Sequence, residues 1–189
     1  MTIPKLIKSI PGAVNITTGE PIRYRMSPLG TWMHARAFKI AADGLRGQQP
    51  GQMPGVVAFL YCRAIELGFK AYLLARGVPA RVVRAWGHKI GGLLVEAHVW
   101  RIDEVVALTA DEKDLVRRAG DAYEAHVLGY FDLMATLMGD IKHLGGLSEV
   151  ADRLVGGLEH VCHVAGDEPA WAPPTIPPAK ESKGEDAPG

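Results

Sequence analysis

The sequence predicts an all-α fold: an up-and-down helical bundle of four main helices plus one short helix, with an irregular N-terminal arm. Three observations predict it. Apolar residues make up 48% of the chain but aromatics only 7%, a balance suited to aliphatic helix packing rather than to sheets. Apolar side chains recur at spacings of three and four through most of the chain. Prolines and glycines collect between those stretches. A chain of 189 residues is long enough for one domain with a proper core and attached arms.

Taken in order, residues 1–28 form a Pro- and Gly-punctuated arm, in which "VNITT" and "IRYR" flank "GEP" and form either a short hairpin or a loop. "SPLGTWMHARAFKIAADGL" places Met33, Ala37, Ile40, Ala41 and Leu45 at helical spacing. "RGQQPGQMPG" is a linker of turn formers. A helix then runs from about Val56 to Arg76 with the stripe Val57, Leu60, Ala64, Leu67, Ala71 and Leu74. Gly77 suits the left-handed position that closes a helix, and Pro79 blocks continuation. "VPARVVRAWGHK" reads as a connection, followed by a short helix carrying Ile90, Leu93, Leu94 and Ala97.

"TADE" at 109–112 is a capping-box signature, with Thr109 as N-cap and Glu112 three residues on. It opens a long helix expected to reach about Lys142 through Leu115, Ala119, Ala122, Tyr130, Leu133, Leu137 and Ile141. A last helix, from about Ser148 to Val164, repeats the pattern at Val150, Leu154, Leu158, Val161 and Ala165. The bundle therefore occupies residues 29–166. The tail, 167–189, is rich in Pro and charge, a composition that does not bury enough apolar surface to order itself.

Charge narrows the function. Lys plus Arg equals Asp plus Glu at 21 each, so the formal net charge is zero, and any contact with nucleic acid needs a local basic patch, such as a dimer would supply. Cys62 and Cys162 stand a hundred residues apart and form no disulfide framework, in keeping with a reducing cytosol. The N-terminus carries no run suited to a signal peptide and no stretch approaches ~20 uninterrupted apolar residues, so a cytoplasmic protein without a membrane span is expected.

Arg63, Glu66 and Lys70 fall at spacings of three and four and share one side of the second helix. Two readings fit: a wet face with an ordinary i,i+4 pair, or a polar seam between helices to which His88 contributes from just before the next helix. "AIELGFKAYLLARG" followed by "GHKIGGLLVEA" resembles the HEPN domain families of bacteria and archaea. Their pattern is a helix with E-x-x-x-K-A, a glycine, a polar connection and H-D-L-x-x-L-x-x-x-A. The matching positions are Glu66, Lys70, Ala71, Gly77, His88, Leu93 or Leu94, and Ala97, over residues 56–98. Lys89 departs from the pattern, standing where an acidic residue is usual.

The resemblance implies an RNA-linked role in defence, toxin–antitoxin or stress processes, exercised through RNA or a protein partner, with a homodimer as the working state. A nucleotidyltransferase-type or antitoxin protein is the implied partner. Some members are metal-independent ribonucleases marked by R-x(4 to 6)-H, in which the Arg would steady phosphate charge and the His would move a proton. Two stretches match, Arg153 to His160 in the last helix and Arg81 to His88 in the connection. With twelve Arg and seven His, chance supplies about one such match, so position alone carries weight. Arg153 and His160 lie where the family motif belongs, two turns apart on one face and about 10 Å along the axis. They are the catalytic candidates; a purely structural or partner-binding helical dimer is the alternative.

His160, Cys162 and His163 invite a metal reading, but only the two histidines share a face, so no metal site is expected. The sequence has no P-loop, dinucleotide-binding glycine pattern or nucleophile elbow, and no cofactor is expected.

Overall fold

A computed structural model describes residues 26–48, 54–125 and 145–167. Among them are six α-helices, one 3-10 turn and no strand: α1 (Pro28–Gln48), α2 (Pro54–Ala75), α3 (Ala80–Ala85), α4 (Ile90–Val99), the turn Ile102–Glu104, α5 (Ala110–Glu124) and α6 (Leu147–Asp167). The protein is an all-α helical bundle, as expected. Most of the N-terminal arm, the possible hairpin included, and the tail beyond residue 167 lie outside the described residues. So does the expected continuation of the fifth helix to Lys142; α5 is described to Glu124, with Ala125 as its C-cap.

Local chemistry sets the helix ends. Pro54 occupies the first position of α2, where its missing N–H costs nothing. At the other end Gly77 adopts φ 84 and donates to the Leu74 carbonyl at 2.9 Å, while Val78 N–H reaches the Leu73 carbonyl at 2.9 Å. This paired closure is the Schellman motif, and buried Val78 completes it. The capping box of α5 is present in both directions: Thr109 Oγ1 accepts from the Glu112 N–H at 3.2 Å, and Glu112 Oε2 accepts from the Thr109 N–H at 2.8 Å.

α2 is the central helix, packed against α1, α3, α4, α5 and α6. Every residue from Ala64 to Ala75 is buried, so the stripe read from the sequence is only one side of a helix that is enclosed all round. Gly68 permits the closest approach to α6: a Cβ there would stand 2.8 Å from Leu154 Cδ2. On α1 the expected stripe is on the wrong side. Met33 and Ile40 are exposed, and Trp32, Ala35 and Ala42 face the core instead. Two apolar faces compete on this helix, and the buried one carries the larger aromatic, whose indole N–H donates to the Val155 carbonyl of α6 at 2.8 Å.

A second difference concerns the connection before α4, where residues 80–85 form the additional short helix α3 with Val83 buried. On α4, Ile90, Leu93, Leu94 and Ala97 are all buried, as the spacing predicts. Polar ties join α1 to its neighbours: Lys39 pairs with Asp43 at 2.7 Å and with Asp152 of α6, and Tyr61 donates to Asp43 at 2.6 Å. Cys62 and Cys162 are free and buried, and burial pushes both thiols up to about 12. No helix among the described residues is long and apolar enough to cross a membrane.

Candidate functional site

The site is built around one carboxylate. Glu66 lies midway along the enclosed part of α2 and is fully buried, so its charge must be met locally. Lys70, one turn on, donates to Oε1 at 2.6 Å. Arg63, one turn back, reaches both oxygens through Nη1, at 3.0 and 2.9 Å. Tyr123 of α5 donates to Oε2 at 2.9 Å, and His88 Nδ1 lies 3.1 Å from the same atom. A carboxylate has about four lone-pair directions, and four donor groups fill them.

The turn between α3 and α4 adds the remaining contact. Gly87 takes φ 56, which glycine enters freely, and its carbonyl accepts from Lys70 Nζ at 2.5 Å. Lys70 therefore bridges α2 to this turn and is itself buried. His88 follows immediately, and Lys89, the departure from the family pattern, is the N-cap of α4 without a side-chain capping bond.

The network fixes the histidine tautomer. His88 Nδ1 faces both Glu66 Oε2 and, at 3.3 Å, Arg63 Nη1. The nearer of the two contacts is to a carboxylate, which only accepts, so the proton is assigned to Nδ1, which donates to Glu66 and leaves Nε2 unprotonated in the neutral ring. Burial acts on Glu66 to raise its pKa, but the hydrogen bond and charge of Lys70, joined by His88 and Arg63, outweigh it and hold the carboxyl below its ordinary range. Burial and then the negative charge of Glu66 push the Tyr123 phenol well above the usual tyrosine value. Glu66 is ionised and Tyr123 is neutral at physiological pH.

Beside this cluster a pocket of about 340 Å³ is lined by Phe38 of α1, Phe59 and Arg63 of α2, His88, and Tyr123 of α5. The aromatic rings are in contact around it: Phe59 lies 5.3 Å from Tyr123, and His88 meets Tyr123 edge-on at 5.8 Å. The Arg63 guanidinium stands 5.8 Å from the Phe38 ring.

The structure thus brings Glu66, Lys70 and His88 together, with the pair buried rather than wet. Tyr123, Phe38 and Phe59 complete the place and were not singled out from the sequence. Phe59 stands seven residues before Glu66 on α2, a spacing that puts the two on one side of the helix and was the signal available for it, whereas Phe38 and Tyr123 come from other helices and meet the site only in the folded chain. Arg153 and His160 lie elsewhere, both exposed on α6. Arg153 is committed to Glu112 of the α5 capping box at 3.2 Å, so its charge is already matched. His163, also exposed, packs edge-on against Trp32 at 5.5 Å. Among the described residues no group of three His, Cys, Asp or Glu side chains converges as a metal site would. No protein-family model matches the chain, and neither a curated protein nor a solved structure matches it.

Proposed function

We propose that the chain is a HEPN-like cytoplasmic domain that acts in RNA-linked defence, toxin–antitoxin or stress processes, through RNA or through a nucleotidyltransferase-type or antitoxin partner. One observation supports this reading above the rest. The residues that carry the resemblance, Glu66, Lys70 and His88, meet in a single buried node that ties α2 to the turn before α4. Glu66 and Lys70 share a helix face by their spacing, so the informative member is His88, which joins them from a different segment.

The alternative is a helical homodimer that works through protein contacts alone. The exposed apolar residues favour it: Met33 and Ile40 on α1, and Val95 and Val99 one turn apart on α4. Zero net charge points the same way.

Fluorescence anisotropy with labelled single-stranded and hairpin RNA, paired with light scattering of the eluting protein, separates the two. The RNA reading expects saturable binding that weakens as salt rises. A stable dimer that ignores both RNAs at low salt supports the protein-contact reading, and a monomer that binds neither overturns both.

A further inference from the structure

We propose that the pocket between α1, α2 and α5 is a binding site for a small aromatic carboxylate. The inference goes beyond the RNA-linked reading and stands independently of it, because it rests on the pocket's own chemistry. At about 340 Å³ the pocket falls at the lower end of the ~300–1,000 Å³ range of small-molecule sites, a size for a single metabolite-sized ring system.

Its walls specify the body of the ligand. Phe38, Phe59 and Tyr123 come from three helices and present aromatic surface to one space, an arrangement suited to a planar ring by offset or edge-on stacking. Tyr123 is held in place by its hydrogen bond to Glu66, so that wall is set before any ligand enters.

Its charges specify the head. Glu66 is matched by Lys70 and Arg63, which leaves the cluster with one positive charge when His88 is neutral. Lys70 is buried against Gly87, whereas Arg63 lines the pocket. Arg63 serves Glu66 through Nη1 alone, so the side-on edge formed by Nε and Nη2 is free of that carboxylate. This edge is the planar fork that receives a carboxylate in two parallel hydrogen bonds. A single anionic charge balances the cluster. A dianionic phosphate would set a second negative charge against the buried Glu66 behind Arg63, which selects a carboxylate over a phosphate monoester.

The test is isothermal titration of the full chain with benzoate, phenylacetate and indole-3-acetate, against benzamide, cyclohexanecarboxylate and phenyl phosphate. Saturable binding is expected for at least one of the three aromatic carboxylates, at least tenfold tighter than for benzamide, its saturated-ring analogue or phenyl phosphate. Phe38→Ala, which removes none of the hydrogen bonds to Glu66, should weaken binding about tenfold in a folded protein. Arg63→Lys, which keeps a charge near Glu66 but loses the fork, should weaken it at least as much in a folded protein. No binding of any aromatic carboxylate overturns the assignment. So does equal binding of benzamide or cyclohexanecarboxylate, tighter binding of phenyl phosphate, or affinity unchanged in both folded variants.

Discussion

Glu66 and Lys70 form a buried ion pair on one helix, with Nζ 2.6 Å from Oε1, and Lys70 extends the same ammonium to the Gly87 carbonyl at 2.5 Å. A pair at this spacing on a wet helix face contributes only a few tenths of a kcal/mol. Here the surroundings change the magnitude: removing Glu66 leaves the buried Lys70 ammonium against the neutral Gly87 carbonyl without a counter-charge, whereas removing Lys70 leaves Glu66 with Arg63, Tyr123 and His88. Glu66→Ala should therefore cost about 3–5 kcal/mol, and Lys70→Ala less. Urea denaturation monitored by circular dichroism measures both. Variants that unfold at the parent's midpoint would show that the node contributes nothing to the fold.

The same node sets an acid limit. The folded state holds Glu66 below its ordinary pKa, so as pH falls the unfolded chain takes up this proton first. The stabilisation is complete above the ordinary glutamate value of about 4.3 and is lost as pH falls through the lower folded value. Asp43 and Glu149 are shifted in the same direction, but they lie nearer solvent and contribute less. Glu66→Gln should start less stable at pH 7 and lose less on going to pH 3. An acid transition identical in slope and midpoint to the parent's would remove Glu66 from that account.

What the sequence made legible were features governed by neighbours along the chain. Gly77 and Thr109–Glu112 mark helix ends because capping is a contact between residues three to five apart, and both caps stand where they were read. The four apolar positions of α4 are legible for the same reason. On α1, two faces carried apolar residues, and only packing against α6 decided that Trp32 and not Met33 would be buried. The short helix α3 lay hidden among basic and β-branched residues with no capping side chain. The site was half legible: spacing on α2 joins Arg63, Glu66 and Lys70, and Phe59 one turn before Arg63, whereas Phe38 and Tyr123 depend on which helices meet.

Two adjacent glycines of α6 should respond with opposite signs. Gly156 has nothing within 4 Å of an added Cβ, so Gly156→Ala should stabilise by about 0.5–1 kcal/mol through helix propensity alone. At Gly157 the same Cβ would stand 2.6 Å from Val106 Cγ2, on a stiff β-branched side chain. Gly157→Ala should then cost about 1–3 kcal/mol as the contact between α6 and the 105–106 segment is forced apart. Thermal melts of the two variants decide it, and equal shifts would contradict the packing described.

The last prediction concerns Arg153 and His160. For this pair to act on a phosphodiester, the guanidinium must be available, yet it is paired with Glu112, whose other oxygen accepts the Thr109 N–H of the capping box. Freeing Arg153 means disturbing a carboxylate that also holds the start of α5. The ion pair itself is half exposed on the Arg153 side, so Arg153→Ala should cost no more than about 1 kcal/mol. RNA cleavage by the parent chain is expected to be undetectable, with Arg153→Ala and His160→Ala indistinguishable from it. Glu112→Gln is the informative variant, because glutamine still completes a capping box while releasing the arginine. It should fold normally and bind single-stranded RNA more tightly at low salt, and adding Arg153→Ala should return the affinity to the parent level. Cleavage by the parent that persists in EDTA and disappears in both single variants, with melting temperatures unchanged, would instead establish Arg153 and His160 as a ribonuclease pair. The Glu112 contact would then have to open on substrate binding, with a twofold partner completing the pocket.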